Sequence, residues 1–436
     1  MIKIESTTET IESKSGLILA GLVAMKTGLT QIHSSIVKNA PTILTSLFGL
    51  MVEGKTDFES MDEKRESLFF KEALNLPFVF AKETVRLYLE QMSVAADEIV
   101  NQLKESSVKI IKQARLHGVW MAGNKYLPVD IDTTTMDNSK TKKEGVSRTY
   151  QGFDGYHPIL AYVGKEGYML NCELRPGSQH CQKGTVEFIK DTLTQLRSAG
   201  VNERILLRMD GGNDSFENMA AITRAGKSYY CIIKRNKRQE SSEIWLERAK
   251  RHGKQIESRA GKRVWIGKTQ FHPKKDEEIL EDINCIFEVI ERKIDARGNV
   301  LLIPEIEVNS WWTNLRCEAE KIIELYHLHA TSEQFHSELK HDMDIERLPS
   351  GKFDVNKVIM MIGMNAYNTL KLLGQVSIEK ENQKYMKRKR LGKVIREIIC
   401  VGGKLVKHGR QLIIKINEKE PMLPFFLRLN ALLGCS

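Results

Sequence analysis

The chain has 436 residues, 41% of them hydrophobic and 28% charged, the balance of a globular protein with room for two or three domains and at least one sizeable core. A formal net charge of +10 points to a polyanionic partner, most often nucleic acid. The seven cysteines (Cys172, Cys181, Cys231, Cys285, Cys317, Cys400 and Cys435) include no Cys-x-x-Cys pair, which speaks against a disulfide framework or a structural zinc site and for inert thiols in a reducing compartment.

The N-terminal stretch MIKIESTTETIESKSG is polar and acidic, unlike a signal peptide. The longest apolar runs, GLILAGLVAM and VIMMIGM, are too short to span a bilayer. A cytoplasmic protein with no membrane partner is therefore expected. Residues 1–120 read as helical, with apolar positions at helical spacing and Pro41 and Pro77 at helix boundaries. Pattern alone leaves two roles open for this segment: a DNA-binding domain, or a helical layer that packs on the rest.

From about residue 121 the texture changes. KYLPVDIDTTT, HPILAYVG and YMLNCELR predict three successive strands joined by glycine-containing turns. A helix in TVEFIKDTLTQLRSAG, the strand RILLRMD, a helix in SFENMAAITRAG and the strand SYYCIIKR follow. A three-strand meander followed by alternating helix and strand predicts an α/β fold with a ribonuclease-H-like core. Residues 121–239 form its first part. Residues 240–312 are charge-rich, with strands in RVWIGKTQF, CIFEVIERK and VLLIPEIEV, and read as a β-rich insertion. Residues 313–378 return to helix and complete the core. Residues 379–436 are basic, with MKRKRLGK and a strand or hairpin in RQLIIKI.

Two strand ends carry aspartates. Asp130 and Asp132 lie on the same face of one strand, so alternation does not choose between them. Asp210 ends RILLRMD on the face of Leu206 and Arg208, and Gly211 and Gly212 let the backbone turn beside it. Strand carboxyl ends are where open α/β sheets place their sites. In YHLHATSEQFHSELK, the residues Tyr326, His329, Glu333 and Lys340 form one stripe of a helix, with Glu338 about a third of a turn away. Such a stripe is a solvated face or the wall of a cleft.

The spacing of Tyr326, His329, Glu333 and Lys340 resembles the Y-R-E-K signature of the insertion sequence 4 superfamily of bacterial DDE transposases, with histidine where that family has arginine. Asp132 before a threonine-rich turn resembles the family's first aspartate, and Asp210 in LLRMDGG its second. TNLRCEAEKIIELYHLH is similar to the lead-in to the family's glutamate helix. DIDTTT, GYHPILAY, ELRPGS and the basic C-terminal segment are similar to the insertion sequence 1380 family in particular.

The resemblance covers nearly the whole chain, and a β insertion before the glutamate is part of it. It implies that Asp132, Asp210 and Glu333 are the catalytic triad and the metal ligands. Two Mg²⁺ ions, with Mn²⁺ able to substitute, would relieve the mutual repulsion of these carboxylates and serve an in-line displacement at phosphorus. Tyr326, His329 and Lys340 are implied DNA contacts; histidine lacks arginine's bidentate fork, and a structural role for His329 stands beside the DNA contact. The implied partners are terminal inverted repeats and target DNA, bound by a homodimer.

Basic clusters in SKTKKE, IIKRNKRQ, ERAKRHGK and MKRKRLGK each read singly as solvated surface, and together, in so basic a chain, as expected phosphate contacts. Trp311 and Trp312 fit core packing better than stacking on an unpaired base. No phosphate-binding G-x-x-x-x-G-K-[ST] loop, no G-x-S-x-G elbow and no zinc-protease arrangement of His336 and His341 is present. Two other readings share these features: a nuclease of the same fold that does not join strands, and an inactive DNA-binding repressor derived from a transposase.

Overall fold

The computed structural model describes residues 6–236, 240–270, 283–295, 297–378, 388–409 and 411–433. Lys237, Arg238 and Gln239 of IIKRNKRQ, Phe271 of RVWIGKTQF, Met386 and Lys387 of MKRKRLGK, Arg410 of RQLIIKI and Cys435 lie outside the described residues.

The meander forms as its alternation predicts. Strands β1 (Asn124–Thr133), β2 (Ile159–Val163) and β3 (Tyr168–Glu173) pair antiparallel in sequence order. Strand β4 (Arg204–Met209) pairs parallel with β1, and β5 (Tyr229–Lys234) parallel with β4. Every residue of β2 is buried, as expected of a strand covered on both faces. Helices α2 (Thr185–Ser198) and α3 (Phe216–Arg224) make the crossovers. Ser215 caps α3 by accepting a hydrogen bond from the Asn218 N–H. The spatial order β3-β2-β1-β4-β5, with β2 antiparallel to its neighbours, is the ribonuclease-H-like core.

The charge-rich segment after β5 does not make a sheet of its own. It opens with helix α4 (Ser242–His252), then β6 (Lys254–Arg259), β7 (Lys262–Gln270), β8 (Asn284–Ile294) and β9 (Val300–Thr313). These four strands run antiparallel in the order β6-β7-β8-β9, and β9 pairs with β5 through Trp311, Trp312 and Thr313. The insertion therefore lengthens the central sheet. Helix α4 and strand β6 are hard to see in sequence, because only Trp245, Leu246 and Ala249 of the helix are buried.

The N-terminal helices pack on the rest of the chain. Helix α1 (Ala96–Gln113) lies against the 26-residue helix α7 (Phe353–Ile378), which also touches Ala40–Val52 and β3. Helix α7 is buried along most of its length, mostly apolar with a few buried polar side chains, some of which find partners in the surrounding elements. Its Asn368 pins the edge strand β3: Oδ1 accepts from Met169 N at 2.8 Å, and Nδ2 donates to Met169 O at 2.7 Å and Ser107 Oγ at 2.8 Å. The C-terminal strands Gly403–His408 and Gln411–Ile416 form a separate three-stranded sheet with Thr10–Glu12, so the chain's two ends meet. All six described cysteines are free.

The turn between β2 and β3 depends on Gly167. Its φ is +71°, and an added Cβ would sit 2.3 to 2.5 Å from the ring of Phe335. Gly167→Ala combines left-handed backbone strain with a clash against an aromatic that is 2% exposed. The expected loss is about 2 to 3 kcal/mol, read by chemical denaturation; an unchanged midpoint would show that Phe335 moves aside freely.

Candidate active site

The parallel pairing of β1 and β4 sets the site. Asp130 stands opposite Arg208, and Ile131 opposite Met209. The next positions of interest, Asp132 and Asp210, follow at the carboxyl ends of the same two strands. One D-x-D and one R-x-D, laid in register, thus put an ion pair beneath a pair of carboxylates.

Asp130 belongs to the buried brace. Arg208 donates from Nε to Oδ1 and from Nη2 to Oδ2, both at 2.7 Å, and from Nη1 to the Leu325 carbonyl at 2.8 Å. His329 Nδ1 lies 2.8 Å from Asp130 Oδ1. Burial alone would raise the Asp130 carboxyl, but Arg208 and His329 hold it below its ordinary value. For His329, burial opposes protonation, yet the hydrogen bond and charge of Asp130 bring its pKa above the ordinary imidazole value. His329 is 5% exposed. It joins the brace through Nδ1, while among the described residues Nε2 has no hydrogen-bond partner, and the ring lines the cavity.

Asp132 faces that cavity. Its Oδ1 accepts from Thr133 N at 2.8 Å and its Oδ2 from Ser332 Oγ at 3.3 Å. Burial pushes its carboxyl up to about 7; His329 works against this and the nearby Asp210 charge adds to it. Asp210 Oδ1 accepts from Asn213 Nδ2 at 2.7 Å. A Cβ at Gly212 would lie 3.3 Å from both Asp210 carboxylate oxygens and 3.1 Å from Cys181 Sγ, so glycine keeps the backbone close beside the carboxylate.

The segment that carries Glu333 is wound less evenly than one continuous helix. It runs through α5 (Ala319–His327), a 3₁₀ turn at Leu328–Thr331, α6 (Ser332–Ser337) and a π turn at Glu338–Asp342. Tighter and wider turns of this kind collect at functional sites. Tyr326, His329, Glu333 and Lys340 nevertheless line one open cavity of about 1000 Å³ with Asp132 and Asp210. The Glu333 side chain is exposed. Lys340 is half-buried, and burial lowers its pKa. Tyr326 packs on Trp311 and His329, with ring centroids 5.6 and 5.8 Å apart.

Glu338 and the two tryptophans are held by packing. Glu338, off the polar stripe, is buried between Lys371, at 3.0 Å, and Arg388. Trp311 is 1% exposed; the Trp312 indole N–H donates to Asp214 at 3.0 Å, and Arg235 stacks on its ring at 4.4 Å. Both tryptophans are built into the sheet. Sequence reasoning missed His336, which lines the cavity with its Nε2 3.6 Å from Asp132 Oδ2. The available signal was its position three residues after Glu333, on the same helix face. Tyr150, 72% exposed at the cavity's edge, was also missed.

Among the described residues, no three His, Cys, Asp or Glu side chains already stand in metal-holding geometry. The donor chemistry fits a hard divalent cation all the same. Asp132 and Asp210 are close enough for one charge to oppose ionisation of the other, and Glu333 brings a third carboxylate to the same cavity.

A family model described as transposase DDE domain group 1 matches residues 1–434. A comparison with curated proteins finds no match. Among solved structures, the chain is similar to the piggyBac transposase in its synaptic complex with hairpin DNA, determined by cryo-electron microscopy. The two are 11% identical, with a TM-score of 0.43, and the similarity covers 89% of this chain and 80% of that one.

Proposed function

The chain belongs to the DDE-domain transposases of group 1, and from that premise we propose that it cuts the terminal inverted repeats of an insertion sequence and joins them to target DNA. The observation that carries this reading is the meeting of Asp132 from β1, Asp210 from β4 and Glu333 from α6 in one open cavity with Lys340 and Tyr326. Asp132, Asp210 and Glu333 would hold divalent metal, two Mg²⁺ ions or Mn²⁺ in their place, which when bound would supply Lewis acidity for in-line displacement at phosphorus.

The chain's own residues do the rest. Lys340 and Tyr326 seat the phosphate backbone, and His329, braced by Asp130 and Arg208, presents Nε2 to the same strand. In the first displacement a water oxygen bonds to phosphorus and the P–O3′ bond breaks, freeing a 3′-OH. In the second, that 3′-OH attacks a target phosphate and displaces a second 3′ oxygen. The local spacing supports membership of the insertion sequence 4 superfamily, nearest the 1380 family, acting as a homodimer on the bacterial nucleoid in the cytoplasm. Among the described residues, no helix is long and apolar enough to cross a membrane.

The test is a joining assay: DNA carrying the element's ends, a supercoiled target plasmid, and Mg²⁺ or Mn²⁺. End-dependent joined products that vanish with chelator are expected. Cut but unjoined ends would place the protein among same-fold nucleases. Salt-sensitive, end-specific binding without cutting would make it a repressor. In the same system Lys340→Ala is expected to weaken binding to all sequences alike. It should also reduce the slope of log affinity against log salt by about one unit; an unchanged slope would remove Lys340 from the phosphate contacts.

A further inference from the structure

We propose that His336 is a fourth metal ligand of this site, paired with Asp132, and that it makes the site take Mn²⁺ in preference to Mg²⁺. The inference rests on the carboxylate site above and adds a nitrogen donor to it.

His336 is 6% exposed, and its Nε2 has no hydrogen-bond partner among the described residues. A buried polar atom left without a partner calls for an explanation. The nearest acid, Asp132, has Oδ2 at 3.6 Å, too far for a hydrogen bond. That separation suits another relation. Two donors each about 2.1 Å from one ion, at angles between about 90 and 110°, stand about 3.0 to 3.4 Å apart, and the observed gap closes to this with a small shift of either side chain. Among the described residues, Asp132 Oδ2 accepts one hydrogen bond, from Ser332 Oγ at 3.3 Å, and so keeps a lone pair for an ion.

The ring is held in place from behind. Tyr162, fully buried, packs on it with centroids 5.5 Å apart, and Phe335 packs on the same tyrosine at 5.1 Å. His336 sits one helical turn from Glu333, so both project from α6 into the cavity. His329 also presents a partnerless Nε2, but its Nδ1 is committed to the Asp130 brace. An imidazole nitrogen favours Mn²⁺ over Mg²⁺, which prefers oxygen throughout its shell.

The experiment uses the full chain without DNA. Mn²⁺ is titrated in while free ion is followed by electron paramagnetic resonance, and the bound ion is examined for imidazole nitrogen coupling in protein labelled with ¹⁵N-histidine. The expected result is a coupled histidine nitrogen on bound Mn²⁺. In His336→Asn that coupling disappears and Mn²⁺ binds about tenfold more weakly, while Mg²⁺ affinity, measured by competition, changes less than about threefold. Thermal unfolding confirms that the variant folds; if it does not, His336→Gln takes its place. Bound Mn²⁺ without nitrogen coupling overturns the inference and leaves the carboxylate site standing. Coupling that survives in His336→Asn but is lost in His329→Asn overturns it as well. Absence of any Mn²⁺ binding would overturn the carboxylate site itself.

Discussion

Asp132→Asn is expected to lower metal-dependent DNA cleavage on the order of 10³-fold without lowering the stability of the metal-free protein. The two effects part because the carboxylate is placed for chemistry at the expense of folding. Burial and the neighbouring Asp210 push its carboxyl up to about 7. The folded chain therefore keeps a proton that the unfolded chain releases above a pH of about 4. Asp132's contribution to the stability of the metal-free wild type is lost as pH rises from about 4 to about 7, and asparagine removes that dependence. Asparagine keeps an oxygen to accept the Thr133 N–H, so the local backbone is held. The check is a pair of measurements: cleavage rate with Mg²⁺, and unfolding midpoint against pH with chelator present. A variant that cuts at the wild-type rate removes Asp132 from the site. A variant less stable at pH 8 would mean the charge stabilises the fold.

The second large effect concerns the brace under the site. Arg208→Met leaves Asp130 buried with only His329 beside it. Both partners of the ion pair are nearly fully buried, with side-chain exposures of 3% and 2%, so solvent screening does little to soften the loss. A buried pair broken on one side costs about 3 to 5 kcal/mol. Cleavage should fall too, because the same guanidinium holds the Leu325 carbonyl, one residue before Tyr326. Asp130→Leu combined with Arg208→Met should recover much of the stability, since an apolar pair of similar volume leaves no charge unpaired. Urea denaturation of the wild type and these two variants decides it. A loss below about 1 kcal/mol in Arg208→Met would show that water or His329 alone satisfies Asp130, and that the brace is not what fixes the glutamate segment.

Much of the core was legible because burial wrote itself into the chain. HPILAYVG and RILLRMD become strands buried almost throughout, and their order fixes the sheet. What strand alternation hid was the choice between Asp130 and Asp132, which share a face. Only the pairing of β1 with β4, which sets Asp130 against Arg208, separates brace from site. That pairing is a long-range fact that no local pattern contains. The resemblance to a family's spacing pointed to Asp132 without supplying the physical reason.

The helical stripe was legible as a set of residues facing one way, but not as a segment whose winding tightens at Leu328–Thr331 and widens at Glu338–Asp342. Those changes depend on what the segment packs against. Glu338 shows this, since its partners Lys371 and Arg388 lie far along the chain. The insertion hid its role for a similar reason. Charged faces on β6 to β9 obscured the alternation, and the link of β9 to β5 is a matter of which sheet edge stands free. In the sequence His336 stands out only beside His341; its approach to Asp132 is a long-range contact that spacing from Glu333 hints at but does not show.

If Asp132, Asp210 and Glu333 act together as one DNA-cutting site, Glu333, exposed where both aspartates are partly buried, is the member to remove first. The most direct measurement is Mg²⁺-dependent cleavage of end-bearing DNA by the wild type beside Glu333→Gln, with DNA binding by both proteins confirmed in the same preparation. Equal binding is expected, with 3′-OH ends from the wild type and none from the variant. Equal cutting by the two proteins would contradict it, because an exposed glutamate that can be neutralised without effect holds no metal.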